Sequence, residues 1–128
     1  MKAKDEPSSP KVLSNEVWVD ICALEDVIPA TGVAAMLNGE QIAVVRSPDG
    51  SSVFALSNFD PFSKAFVIAR GIVGDRGGVL KIASPIFKQN FDLRTGVCLD
   101  DPSVTLPVYP VRLEAGRILI AARKSDPQ

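Results

Sequence analysis

Two short loops in the middle of the chain carry the residues best placed for chemistry: Asp60-Pro61-Phe62 and Ser84-Pro85-Ile86-Phe87. Loops at this spacing can hold a ligand between their tips. The side chains there do not suit a metal. Asp60 and Ser84 offer only hard oxygen donors, and Phe62 and Phe87 offer no donor atom. The chain has no histidine, which removes imidazole ligands, imidazole acid–base work and Ser-His or Cys-His nucleophile pairs. Its two cysteines, Cys22 and Cys98, fit neither a CxxC redox motif nor a zinc knuckle. They read as reduced thiols at strand ends, although sequence separation alone does not exclude a disulfide.

Other chemistry-bearing clusters are weaker. Gly74-Asp75-Arg76-Gly77-Gly78 is glycine-rich but matches neither a P-loop nor a dinucleotide fingerprint, and reads as a connecting turn. Asp92, Asp100 and Asp101 do not follow calcium-loop spacing. The pairs Asp5-Glu6 and Glu25-Asp26 fall in predicted tail or loop, without the desolvating pocket that general acid work needs. Arg46, Lys64, Arg70, Arg76, Lys81 and Lys88 are scattered, without the aromatic interleaving of a single-strand binder. With 14 basic and 15 acidic residues the formal charge is −1, so no global field points to nucleic acid or anionic lipid. No apolar run approaches the roughly 20 residues of a membrane span. The start, MKAKDEPSSPK, lacks the apolar core of a secretory signal. A cytoplasmic protein without a membrane or nucleic-acid partner is expected.

The elements that would position the loops are short strands. A 128-residue chain favours one domain able to build its own core. Residues 1–15 are polar and contain Pro7 and Pro10, so they read as a disordered N-terminal tail. A domain over 16–122 and a C-terminal tail over 123–128 follow. Val17 to Cys22 reads as the first strand, and Leu24 to Thr31 as a loop or single turn limited by Pro29. Val33 to Leu37 and Gln41 to Arg46 flank Asn38-Gly39, a strong hairpin pair, and Val53 to Ser57 follows Ser47-Pro48-Asp49-Gly50. Ser63 to Ile68 reads as a short strand or helical turn, and Arg70 to Gly78 as a turn-rich connection. Val79 to Ala83 and Gln89 to Leu93 resume strand character, with Arg94-Thr95-Gly96 as a turn. Asp100-Asp101-Pro102 opens a loop. Val108 to Glu114 and Arg117 to Ala122 read as one closing hairpin through Ala115-Gly116. No window carries a clean helical period, so the expectation is an all-β sandwich or barrel.

This order of elements resembles the Rieske-type [2Fe–2S] ferredoxin domain, a β-sandwich or barrel with an inserted two-loop subdomain. In that family a Cys-x-His loop and a Cys-x-x-His loop each supply two cluster ligands. The second loop typically reads CPxHGxxFDLxTG, and Ser84-Pro85-Ile86-Phe87-Lys88-Gln89-Asn90-Phe91-Asp92-Leu93-Arg94-Thr95-Gly96 follows that frame. The first typically reads NxCPH, where this chain has Asn58-Phe59-Asp60-Pro61-Phe62. The resemblance runs from about Val17 to Ala122. It places Asp60 and Ser84 at the cysteine positions and Phe62 and Phe87 at the histidine positions. Phe62 and Phe87 are therefore expected to turn inward and fill the cluster's volume, since an empty cavity is costly. Asp60 and Ser84 are expected at loop tips, bonding to nearby backbone N–H groups.

One ligand-free branch is similar in its Asp-Pro-Phe loop, in Arg70-Gly71-Ile72-Val73-Gly74-Asp75 and in Ala83-Ser84-Pro85 followed by Lys88-Gln89. It is the small subunit of cytoplasmic, assimilatory, NADH-dependent nitrite reductases. That resemblance implies a chain without cofactor, metal or catalytic residues of its own. It also implies a large catalytic partner carrying FAD, an iron–sulfur cluster and sirohaem, which reduces nitrite to ammonia. Asp60, Pro61, Phe62, Pro85, Phe87 and Lys88 are the candidate docking residues. Two other readings stay open: a free-standing Rieske-like β interaction module serving another oxidoreductase, and a redox-active ferredoxin with unusual ligands. Genomic adjacency to a large sirohaem reductase would count against the first, and two irons per chain in an iron assay would revive the second.

Overall fold

A computed structural model describes residues 17–122. The expected tails at 1–15 and 123–128 lie outside the described residues. Twelve strands follow one another: β1 Trp18–Ala23, β2 Gly32–Leu37, β3 Glu40–Arg46, β4 Val53–Ser57, β5 Phe59–Asp60, β6 Ala65–Phe66, β7 Ile72–Arg76, β8 Val79–Ala83, β9 Asn90–Asp92, β10 Val108–Tyr109, β11 Val111–Glu114 and β12 Arg117–Ala121. Single 3₁₀ turns at Leu24–Asp26 and Ile68–Arg70 are the helical segments among the described residues.

The strands form a three-stranded sheet ordered β1-β12-β11, a four-stranded sheet β10-β4-β3-β2, a two-stranded β5-β6 ribbon and a three-stranded sheet β7-β8-β9. The apolar run of β3 explains how they stack. Successive side chains of a strand point to opposite faces. Ile42 and Val44 enter one core with Val27, Leu37, Ile118 and Ile120. Ala43 and Val45 enter a second core with Leu56, Ile68, Ile82, Phe91, Leu93 and Leu106. The four-stranded sheet is therefore covered on both faces, which is why β3 reads as a continuous hydrophobic stretch rather than an alternating one. The first core joins it to β1, β11 and β12. The second joins it to β7–β9, which with β5 and β6 are inserted between β4 and its neighbour β10 (Val108 opposite Leu56, Tyr109 opposite Ala55).

Local signals hold where they are strong. Asn38 and Gly39 both take positive φ, 55° and 86°, and close the β2–β3 hairpin as a type I′ turn requires. Arg46, read from sequence as one of several scattered cations, is structural. Its guanidinium donates to the carbonyls of Val27 (2.9 Å), Leu24 (3.3 Å) and Gly50 (2.9 Å).

Two expectations are corrected. Arg70 to Gly78 is not all connection, because Ile72–Arg76 is β7, paired with β8 from Ile72–Ala83 to Arg76–Val79. Gly74 and Asp75 weaken its strand signal, but the ladder to β8 overrides their low propensity. Val108 to Glu114 is not one strand either. Pro110 has no N–H to give a ladder, and the chain changes sheets there: β10 pairs with β4 and β11 with β12. The carbonyl of Pro110 still accepts from the Ala121 N–H at 3.1 Å.

Asn58 closes the base of the first loop. It is buried, its Oδ1 accepts from the Ala69 N–H at 2.7 Å, and its Nδ2 donates to Gln41 Oε1 at 3.2 Å. Asn58→Ala would strand that N–H in a dry site. We expect a loss of about 2–3 kcal/mol in chemical denaturation, and a change under about 1 kcal/mol would show that the contact is dispensable.

Candidate functional site

The two loops share one local design. Each begins with an oxygen-bearing residue before proline and ends, four residues on, with a lysine. The Lys64 N–H donates to the Asp60 carbonyl at 2.7 Å, and the Lys88 N–H to the Ser84 carbonyl at 3.1 Å. Both lysines lie in the left-handed region, with φ of 63° and 64°, which a residue with a Cβ adopts at some cost. The repeat is visible as Asp-Pro-Phe-Ser-Lys and Ser-Pro-Ile-Phe-Lys.

The first residues of the two loops meet. Ser84 Oγ donates to Asp60 Oδ2 at 2.5 Å, and both side chains are buried. Oδ2 also accepts from Ser63 Oγ at 2.8 Å, while Oδ1 accepts from the backbone N–H groups of Phe62 (2.9 Å) and Ser63 (3.4 Å). Both carboxylate oxygens are thus engaged. Burial opposes ionisation of Asp60, but the hydrogen bonds from Ser84, Ser63 and the Phe62 and Ser63 amides outweigh it and hold the carboxyl below its ordinary value.

The residues at the two-loop site do not fit a [2Fe–2S] cluster. Phe62 and Phe87 have no ligating atom, and Asp60 and Ser84 bond to each other across the space the two thiolate ligands would occupy. The cysteines cannot substitute. Cys98 is buried in the core beside the loops and Cys22 packs on the opposite core; both are free. Nor do the aspartates gather. Asp92 caps the Arg94 N–H, Asp101 binds Ser103, and Asp100 accepts from the Asn90 N–H and Nδ2 and from Arg76. Among the described residues no three metal-type side chains converge.

The candidate docking residues separate into two groups. Asp60 is fully buried, so it cannot be offered to a partner, and Ser84 is buried with it. They are buried rather than exposed at the tips, although, as expected, Asp60 accepts from the backbone N–H groups of Phe62 and Ser63 and Ser84 Oγ from that of Ile86. Phe62 does turn inward, 6.2 Å from the ring of Phe91. Phe87 does not, being 59% exposed. Asp60 and Ser84 bond directly between the loops, and Phe62 already packs against Phe91. Pro61 and Pro85 are half-buried, and Lys88 is exposed beside Phe87. Ile86, which no sequence signal singled out, is 45% exposed at the same tip.

Comparison with known proteins agrees with this framework. Residues 17–121 match the family of the Rieske-like [2Fe–2S] domain. The small subunit of nitrite reductase (NADH) from Escherichia coli K12 is 41% identical over 99 residues, covering 77% of this chain and 92% of that protein. The nitrite reductase [NAD(P)H] large subunit of Klebsiella oxytoca is 36% identical over 118 residues, 92% of this chain but 12% of that one. A crystal structure from Mycobacterium tuberculosis, provisionally described as an NADH-dependent nitrite reductase small subunit, superposes with a TM-score of 0.79. It is 53% identical and covers 83% of this chain and 95% of its own.

Proposed function

We propose a function from one premise: the chain belongs to the Rieske-like [2Fe–2S] domain family and, within it, to the small subunits of NADH nitrite reductase. In this reading it is the non-catalytic small subunit of a cytoplasmic NADH-dependent nitrite reductase that works in nitrate assimilation. Residues 16–122 form its working domain. The large subunit carries FAD, an iron–sulfur cluster and sirohaem, and reduces nitrite to ammonia with electrons from NADH. This chain supplies a surface, in which the second loop tip with Phe87 and Lys88 is the docking element.

The observation that carries the reading is the Asp60–Ser84 hydrogen bond. It ties together the two loops that a cluster ties together elsewhere in the family, so the framework is kept while its redox centre is given up. The Klebsiella relative adds support, because there a matching stretch lies within a large-subunit chain.

Co-expression with the large subunit, followed by purification, activity assay and metal analysis, tests this. The isolated chain should hold no iron, show no visible cluster absorption and turn over no nitrite, while the pair co-purifies as an active complex. Two irons per isolated chain would overturn the ligand-free reading. Failure to co-purify at micromolar concentration would overturn the subunit reading.

A further inference from the structure

We propose that the inserted β5–β9 region presents a cationic, apolar docking face centred on Lys88, and that its partner is a carboxylate-rimmed apolar recess on the large reductase subunit. The inference rests on the subunit reading above and deepens it by naming the chemistry of the contact.

Charge is distributed unevenly. From β5 to β9, residues 59 to 92, the chain carries Lys64, Arg70, Arg76, Lys81 and Lys88 against Asp60, Asp75 and Asp92, a net of +2 (five minus three) within a chain of net −1, and Asp60 is buried. Elsewhere the described cations are engaged. Arg46 binds carbonyls, Arg117 pairs with Asp20, Arg112 with Glu114, and Arg94 lies over the Phe54 ring. Within the region Arg76 reaches Asp100. Lys64, Arg70, Lys81 and Lys88 have no ion pair or side-chain hydrogen bond among the described residues. Among the described residues the unpaired positive charge thus lies within the β5–β9 region.

The same part exposes apolar side chains: Ile72 at 69%, with Ile86 and Phe87 at the loop tip. The ladder places Ile72 beside the start of the second loop. Ile72 pairs with Ala83, the residue before Ser84, and the Ser84–Asp60 bond brings the first loop, ending at Lys64, against the second. Exposed apolar residues rimmed by charge mark interaction sites. The apolar centre favours a protein over a bare polyanion. Lys88 holds its charge there from a left-handed backbone. Strain of this kind is kept where a site uses the residue. The occupant is the large subunit because one relative carries a matching stretch within a large-subunit chain, and unpaired cations call for carboxylates opposite them.

The test measures binding of the full chain to its large subunit at low and high salt. Wild type should bind and weaken as salt rises. K64E/R70E/K88E should weaken binding by about tenfold or more and flatten the salt dependence, since rim charges steer association. F87A should cost about tenfold through lost anchoring, and K88R should stay close to wild type. K88G separates charge from backbone: it relieves the left-handed strain, so thermal stability should hold or rise while binding falls. Circular dichroism of each isolated variant confirms its fold. If wild type binds and the triple variant binds equally at every salt concentration, the proposed face is wrong. If wild type fails to bind, the subunit reading falls, and this inference with it.

Discussion

Replacing Asp60 with alanine should remove about 2–4 kcal/mol of stability, although the residue lies at no catalytic centre and touches no ligand. The carboxylate receives four hydrogen bonds, two from hydroxyls and two from backbone amides. The hydroxyls of Ser63 and Ser84 can turn to other acceptors. The Phe62 and Ser63 amides cannot, and would be left near an apolar void. At roughly 1 kcal/mol per molar urea for a domain of this size, the unfolding midpoint should fall by about 2–4 M. Asp60→Asn keeps shape and one acceptor oxygen, so it should lose less.

Acid should reproduce part of the alanine effect. The folded pKa of Asp60 lies below its ordinary value of 3.8. Its contribution is therefore fully present above the unfolded pKa and is lost as pH falls through the folded one. Wild type should lose stability steeply below about pH 4, and Asp60→Asn should show a shallower acid limb. Matching acid limbs in the two proteins, or an alanine variant as stable as wild type, would mean that the carboxylate does not hold the loops together.

Gly96→Ala should be worse, costing about 3–5 kcal/mol or preventing folding altogether. Two penalties coincide there. Gly96 sits at φ 81°, and a Cβ on it would run into the backbone carbonyl oxygen of Leu106. That carbonyl has no room to retreat, because the Leu106 N–H donates to the Gly96 carbonyl at 2.8 Å. Gly39 provides the control, since its φ is 86° but nothing lies within 4 Å of where a Cβ would stand. Gly39→Ala should cost about 1 kcal/mol, the conformational part alone. Equal thermal shifts for the two variants would show that the Leu106 contact relaxes.

These two positions illustrate different degrees of legibility. Gly96 could be singled out from the chain, because Phe91-Asp92-Leu93-Arg94-Thr95-Gly96 is a strand followed by its turn, and local steric rules act over a few residues. Asn38-Gly39 and the strands from β1 to β4 were legible for the same reason. The tandem Asp-Pro-x-x-Lys and Ser-Pro-x-x-Lys repeat is equally present in the letters. Its shared positions carry no common ligand atom, so no chemistry marks them out. Their equivalence shows in the matching φ values of Lys64 and Lys88.

β7 and the break at Pro110 were not legible. Both depend on which strand lies alongside, and propensity over five or seven residues is too weak to report a partner. Phe62 and Phe87 make the point more sharply. Placed by the resemblance at the two histidine positions, they invited the same inward orientation, yet Phe62, third in its loop, packs on Phe91, while Phe87, fourth in its loop, stands in solvent.

The amino-acid order alone was enough to indicate the all-β architecture, the two proline loops and the absence of imidazole and thiol donors from both loops. Each of these follows from residue identity or from neighbours within a few positions. The union of Asp60 with Ser84, the burial of both and the outward turn of Phe87 came from the folded chain. They join residues as many as 24 positions apart, and such contacts exist only once two sheets and two cores have set the distances between them.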